Sequence, residues 1–235
     1  MKHWKNELKR AFDVPPPQKK REFFMQLEPP AVPFYQVLLS QIGYIRKWVW
    51  CISVLVFGLA VSVSVCLPES AVWMISALTP LLALTLITES GRSAHYGMME
   101  LEMATRFSLR SVVLARLAVL GTGDLLILAM LLPLGLWSRS AEPFSAGLYI
   151  LTPFLLSTFV GLYTIRTWAG REGLYACVGE SAGISFFVTF SHEIAPFIYW
   201  ESCLWIWAAA ALILCVGNGK QCIELLKRTE ELVWS

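Results

Sequence analysis

Six apolar runs decide what this chain can become. They fall at roughly 48–67, 71–88, 113–137, 145–165, 173–191 and 197–217, each near the ~20 residues a helix needs to cross bilayer hydrocarbon. In lipid every backbone N–H and C=O must find its partner inside the protein, and uninterrupted apolar runs do so as helices. Composition agrees: the 235 residues are 56% hydrophobic and 15% charged, with 10 Trp and 13 Phe. That is too apolar for a soluble domain of this size. The expected fold is therefore an all-α polytopic membrane protein with six transmembrane helices. Pro68-Glu69-Ser70 joins the first two runs so briefly that they must form a hairpin. The fifth run is the most polar, because it carries Gly179, Glu180, Ser181, Gly183 and Ser185.

The flanking segments divide the chain into three parts. Residues 1–47 form a proline-rich arm that ends in an interfacial helix. Lys2 to Phe12 can form a short helix that stops at Pro15-Pro16-Pro17, and Lys19 to Leu27 is a second basic stretch closed by Pro29, Pro30 and Pro33. Phe34, Val37, Leu38, Gln41, Ile42 and Ile45 recur at helical spacing. Tyr35, Tyr44 and Arg46-Lys47-Trp48 would hold that helix at headgroup level. Residues 48–217 are the six-span domain. Residues 218–235 read as a separate short surface helix with Lys220, Glu224, Lys227, Arg228, Glu230, Glu231 and an interfacial Trp234. No secretory leader is expected, because the first forty residues are charged and proline-rich. Six spans place 18 of the 19 Lys and Arg on one face and Arg139 alone on the other. The bias of such residues toward the cytoplasm puts both termini there, in a multi-pass protein of the plasma membrane.

The longest polar interruption, Glu89 to Arg116, separates the second and third runs. Within it Met99, Met103 and Phe107 recur every four residues and make one apolar stripe on a helix, with Glu102 and Arg106 paired beside it. Ser108 offers an N-cap for the run that follows. A helix of this kind suits docking to another protein, and it equally suits a place on lipid headgroups.

Met99-Glu100-Leu101-Glu102, then Phe107-Ser108-Leu109-Arg110, then Val113-Leu114-Ala115-Arg116 stand in an order and spacing that resembles the permease subunit of type-2 ABC exporters. Six spans, an amphipathic surface helix and cytoplasmic termini are similar to that family over nearly the whole chain. The resemblance implies that the loop at 89–111 is a coupling helix. Met99, Glu100, Glu102, Met103, Arg106 and Phe107 would then dock into a separate ABC ATPase subunit, which binds the ATP and Mg. It also implies a second permease subunit, identical or related, and no enzymatic activity or cofactor in this chain itself.

The residues themselves agree with the last point. Gly217-Asn218-Gly219-Lys220 lacks the first glycine and the Ser or Thr of a nucleotide-binding loop. The six Cys lie in or beside apolar runs without metal-ligand spacing. His192, Glu193 and Glu201 match no metal site, and nothing suggests nucleic acid. Asp124 and Glu180 are the acids deepest in the spans, at one level about 12–14 Å past Arg116 and Arg171. They are candidates for a substrate path suited to lipid, peptide or an amphipathic drug. They also fit a subunit interface, or a packing role in which each is protonated or hydrogen-bonded to Thr122, Ser181 or a neighbouring helix. Gly179-Glu180-Ser181-Ala182-Gly183 matches G-x-S-x-G, yet on a continuous helix His192 lies ~16 Å from Ser181. Glu102-x-x-x-Arg106 matches part of a glutamyl intramembrane protease motif, without its histidines. An intramembrane hydrolase and a membrane scaffold that docks a cytoplasmic partner through the same loop are the alternatives to a permease.

The orientation is open to a direct check in a bacterial host. Green fluorescent protein fused after Ser235 should fluoresce, and alkaline phosphatase inserted beside Arg139 should be active. The opposite pair of results would invert the topology.

Overall fold

The computed structural model describes residues 34–67, 70–91, 109–137, 143–168, 171–194 and 203–234, and these are helical without a strand among them. In chain order the helices are α1 (Phe34–Tyr44), α2 (Lys47–Cys66), α3 (Ala71–Ser90), α4 (Leu109–Trp137), α5 (Pro143–Thr167), α6 (Arg171–Ile194) and α7 (Leu204–Trp234). Six of them, α2 to α7, are long and apolar enough to cross a membrane. The arm before Phe34, Ser108 and the stripe from Met99 to Phe107 lie outside the described residues.

The six apolar runs reappear as six helices, with one difference in kind. The tail expected as a separate surface helix is continuous with the sixth span, so that α7 runs unbroken for 31 residues. Gly217 and Gly219 do not interrupt it, because side chains on α5 hold that turn in place. Asn218 Nδ2 donates to the Leu155 carbonyl at 2.9 Å. A Cβ at Gly217 would come within 3.0 Å of the Phe159 ring, so glycine is what lets α7 approach this closely. One turn and a half further on, Glu224 pairs with Arg166, whose guanidinium also lies over the Tyr163 ring.

The spans are not equivalent. Of α3, 61% is buried, and of α5, 56%, against 28% for α2 and α4, 22% for α6 and 6% for α7. The second and fourth spans are thus the central pair, with α2 and α4 packed on α3, α7 on α5, and α6 on both. Apolar side chains gain little by leaving lipid for protein, so close packing and interhelical hydrogen bonds must supply the association.

Both central helices contain proline, Pro80 in α3 and Pro153 in α5. Each removes an N–H and strands the carbonyl four residues earlier, at Ser76 and Tyr149. Both carbonyls are recovered by hydroxyls of α3. Thr79 Oγ1 donates to the Ser76 carbonyl at 2.8 Å, and Ser76 Oγ crosses to the Tyr149 carbonyl at 2.6 Å. The second bond stitches the two kinked helices together. Ser64 Oγ makes a similar crossing from α2 to the Leu134 carbonyl of α4 at 3.0 Å, beside Pro133.

Gly161 marks the tightest approach of α3 to α5. A Cβ there would stand 3.0 Å and 3.2 Å from Cγ1 and Cγ2 of the fully buried Ile87, and closer still to its Cδ1. Gly161→Ala should therefore overpack the centre and cost ~1–3 kcal/mol. Thermal unfolding in detergent would read that loss, and Ile87→Val, which removes the Cδ1, should recover part of it.

Candidate functional site

Chemistry-bearing side chains gather in two places, a charged closure beside the 92–108 loop and a polar seam along α6. The closure comes first in the chain. Glu89 and Arg116 bracket the loop, from the last turn of α3 and the third turn of α4, and are 5% and 2% exposed. Arg116 Nη1 donates to the Glu89 carbonyl at 3.4 Å, so the helices on either side of the loop are tied to each other. From sequence Arg116 reads as a basic residue at the inner boundary, where the third span begins. The overlooked signal is that a base set this close to an apolar run needs an acceptor once it is buried. Met99, Glu100, Glu102, Met103, Arg106 and Phe107 themselves lie outside the described residues.

The seam runs where α6 faces α3 and α5. Near the end that carries the loop, Thr164 Oγ1 of α5 donates to Glu180 Oε1 at 2.6 Å, while Oε2 is buried without a partner. One turn away, Cys177 Sγ lies 3.7 Å from the Gly161 carbonyl. Ser181 is buried and shares a hydrogen bond of 3.3 Å with Ser157 of α5. Ser157 also reaches the Pro80 carbonyl of α3 at 3.5 Å, so one short polar chain links the three helices. Ser185 Oγ, a turn beyond, is buried without a partner. Past it, His192 stacks on Trp73 of α3 at 4.4 Å.

Asp124 stands apart from this seam. It is 3% exposed, on the face of α4 that also buries Leu120, Leu128 and Leu131, and its Oδ2 has no hydrogen-bond partner. Gly121 and Gly123, just before it, face Leu86 of α3 and Trp50 of α2. The two acids differ in their surroundings: Asp124 lies on a face of buried leucines of α4, and Glu180 accepts from Thr164 of α5. Of the packing bonds expected of them, the one to a neighbouring helix is found for Glu180. Thr122 bonds back to the Ala118 carbonyl of its own helix, Ser181 pairs with Ser157, and the donor to Glu180 is Thr164.

Ser181 of the G-x-S-x-G match sits inside a helix continuous from Arg171 to Ile194, with serine rather than histidine beside it. Among the described residues no group of three His, Cys, Asp or Glu side chains could hold a metal ion, and all six cysteines are free thiols. Glu193 is exposed, and Glu201 lies outside the described residues. What this arrangement offers chemically is hydrogen bonding within a largely apolar interior.

Compared with models of known protein families, with curated proteins and with solved structures, the chain matches none.

The Thr164–Glu180 contact can be weighed by substitution. Thr164→Val takes away the only hydrogen-bond donor to Glu180 among the described residues and should cost ~1–3 kcal/mol of stability. The same change in a Glu180→Ala background should cost clearly less. Equal losses in the two backgrounds, measured by thermal unfolding, would show that the bond contributes nothing.

Proposed function

We propose that this chain is the permease subunit of an ABC exporter, in which a separate ATPase subunit drives substrate movement across the plasma membrane. The observation that carries the reading is the Arg116–Glu89 contact. It ties together the two helices that flank residues 92–108, and one of them, α3, is the most buried span. A push delivered to the loop thus enters the centre of the bundle instead of bending a free connection. Met99, Met103 and Phe107 form the apolar ridge offered to the ATPase, bordered by Glu100, Glu102 and Arg106.

Other features support the same reading. α1 packs on α4 and buries Gln41, with Ile45 buried just after it, while Tyr35, Leu39 and Ile42 stand exposed on one face. An apolar stripe of that kind beside Arg46, Lys47 and Trp48 suits a helix lying in the headgroup boundary. Both termini are cytoplasmic in this arrangement. The polar seam from Glu180 to Ser185 and the isolated Asp124 are the candidates for a substrate path, which a second permease subunit helps to enclose. The chain contributes no catalytic group; ATP and Mg belong to the partner.

Co-purification in mild detergent tests the proposal. A stoichiometric ATPase should remain bound, and Met103→Glu with Phe107→Glu should release it. Arg116→Ala should leave it bound but lower transport-coupled ATP hydrolysis about tenfold, which corresponds to ~1.4 kcal/mol of lost coupling. Recovery of the chain with a partner that is not an ATPase would overturn the exporter and favour a scaffold.

A further inference from the structure

Away from the loop, at the opposite end of the bundle, four spans converge on Tyr149. Here α3, α5 and α7 begin and α6 ends. The Tyr149 ring is 4% exposed, 5.1 Å from Trp73 of α3 and edge-on at 5.3 Å to Trp207 of α7. Trp73 also carries His192 of α6. Tilted and edge-on pairs at these distances are favourable beyond the area they bury. The Tyr149 backbone takes part as well, since its carbonyl, stranded by Pro153, accepts the Ser76 hydroxyl of α3. Ring and carbonyl of a single residue thus close this end.

Two further observations bear on how this closure would open. Serine and threonine hydroxyls in this bundle commonly turn back to the carbonyl four residues earlier, as Ser62, Thr152 and Thr158 do. Ser76 can make the same turn toward Val72. The Tyr149 carbonyl would then lose its donor and need water, a state stable only if this end is open and wet. Directly inward lies a polar group ready for that state. Ser185 is seven residues before His192, two turns along the same face of α6, and its hydroxyl is buried without a partner.

We propose that the layer of Trp73, Tyr149, His192 and Trp207, latched by the Ser76 hydroxyl, is a gate between the polar seam and the face of the membrane opposite the 92–108 loop. The proline kink at Pro153 lets the first half of α5 swing when the latch turns back to α3. The gate rests on the reading of the chain as a transport protein but not on ATP as its energy source.

The test uses the full chain in lipid vesicles. Ser185→Cys serves as reporter, native Cys177 is kept as an internal control, and the other five cysteines are replaced by alanine. A membrane-impermeant methanethiosulfonate reagent is applied from the Tyr149 side. With the layer intact the reporter should react slowly. Ser76→Ala and Tyr149→Ala should each accelerate it at least tenfold, while Ser76→Thr, which keeps the hydroxyl, should not. Cys177 lies two turns deeper and should stay slow throughout, whereas unfolding would accelerate both thiols. A reporter that reacts fast with the layer intact would overturn the gate. So would unchanged rates in both variants, or equal acceleration of Cys177. Absence of a co-purifying ATPase would overturn the exporter and leave this result standing.

Discussion

A backbone carbonyl without a donor has nowhere to turn in hydrocarbon, and this bundle is arranged around two of them. Pro80 and Pro153 sit in the two most buried spans, where water cannot repair what they remove. The repair comes from Ser76 and Thr79, within one turn of α3. Because one hydroxyl stays within its helix and the other crosses to α5, satisfying the backbone also fixes which helices are neighbours. Toward the other end of the pair, the glycine at 161 lets α5 come close to Ile87 of α3. The outer spans are added to this pair, and most of their remaining surface faces lipid.

The number and approximate limits of the spans were legible in the sequence because twenty apolar residues have one economical solution in a bilayer. Limits moved by at most four residues in the first five spans, while the sixth, expected at 197–217, has its described helix over Leu204–Trp234. Helices continue past the hydrocarbon wherever their end turns find partners. What remained hidden was which helix touches which. Ser76, Ser157 and Thr164 look like ordinary small polar residues in apolar runs, and only the packing shows that each reaches another helix. Asn218 was hidden for a related reason. Gly217 and Gly219 beside it read as the end of a helix, and the Phe159 ring that makes glycine useful there is about sixty positions away. The two buried acids were legible as unusual, but their different surroundings were not.

The two ends of α3 carry opposite kinds of contact. Near Glu89 it is held to α4 by a charged hydrogen bond, and near Trp73 it is held to α5 and α6 by rings and one hydroxyl. A buried guanidinium needs an acceptor at that end, and the Glu89 carbonyl supplies one. Rings suit an end that must exclude water without ionic partners. A single buried helix therefore connects a site where another protein could push to a layer where four spans meet.

The unbroken course of α7 has a mechanical consequence. Asn218 fixes the helix to α5 near its middle, with 14 residues on one side and 16 on the other, or arms of about 21 Å and 24 Å. Such a rod behaves as a lever of nearly equal arms. A sideways displacement at Trp234 returns at Leu204 with similar size and opposite sense. The Arg166–Glu224 pair, half open to solvent, is a weak catch on the longer arm, and salt would loosen it before it loosened the buried pivot.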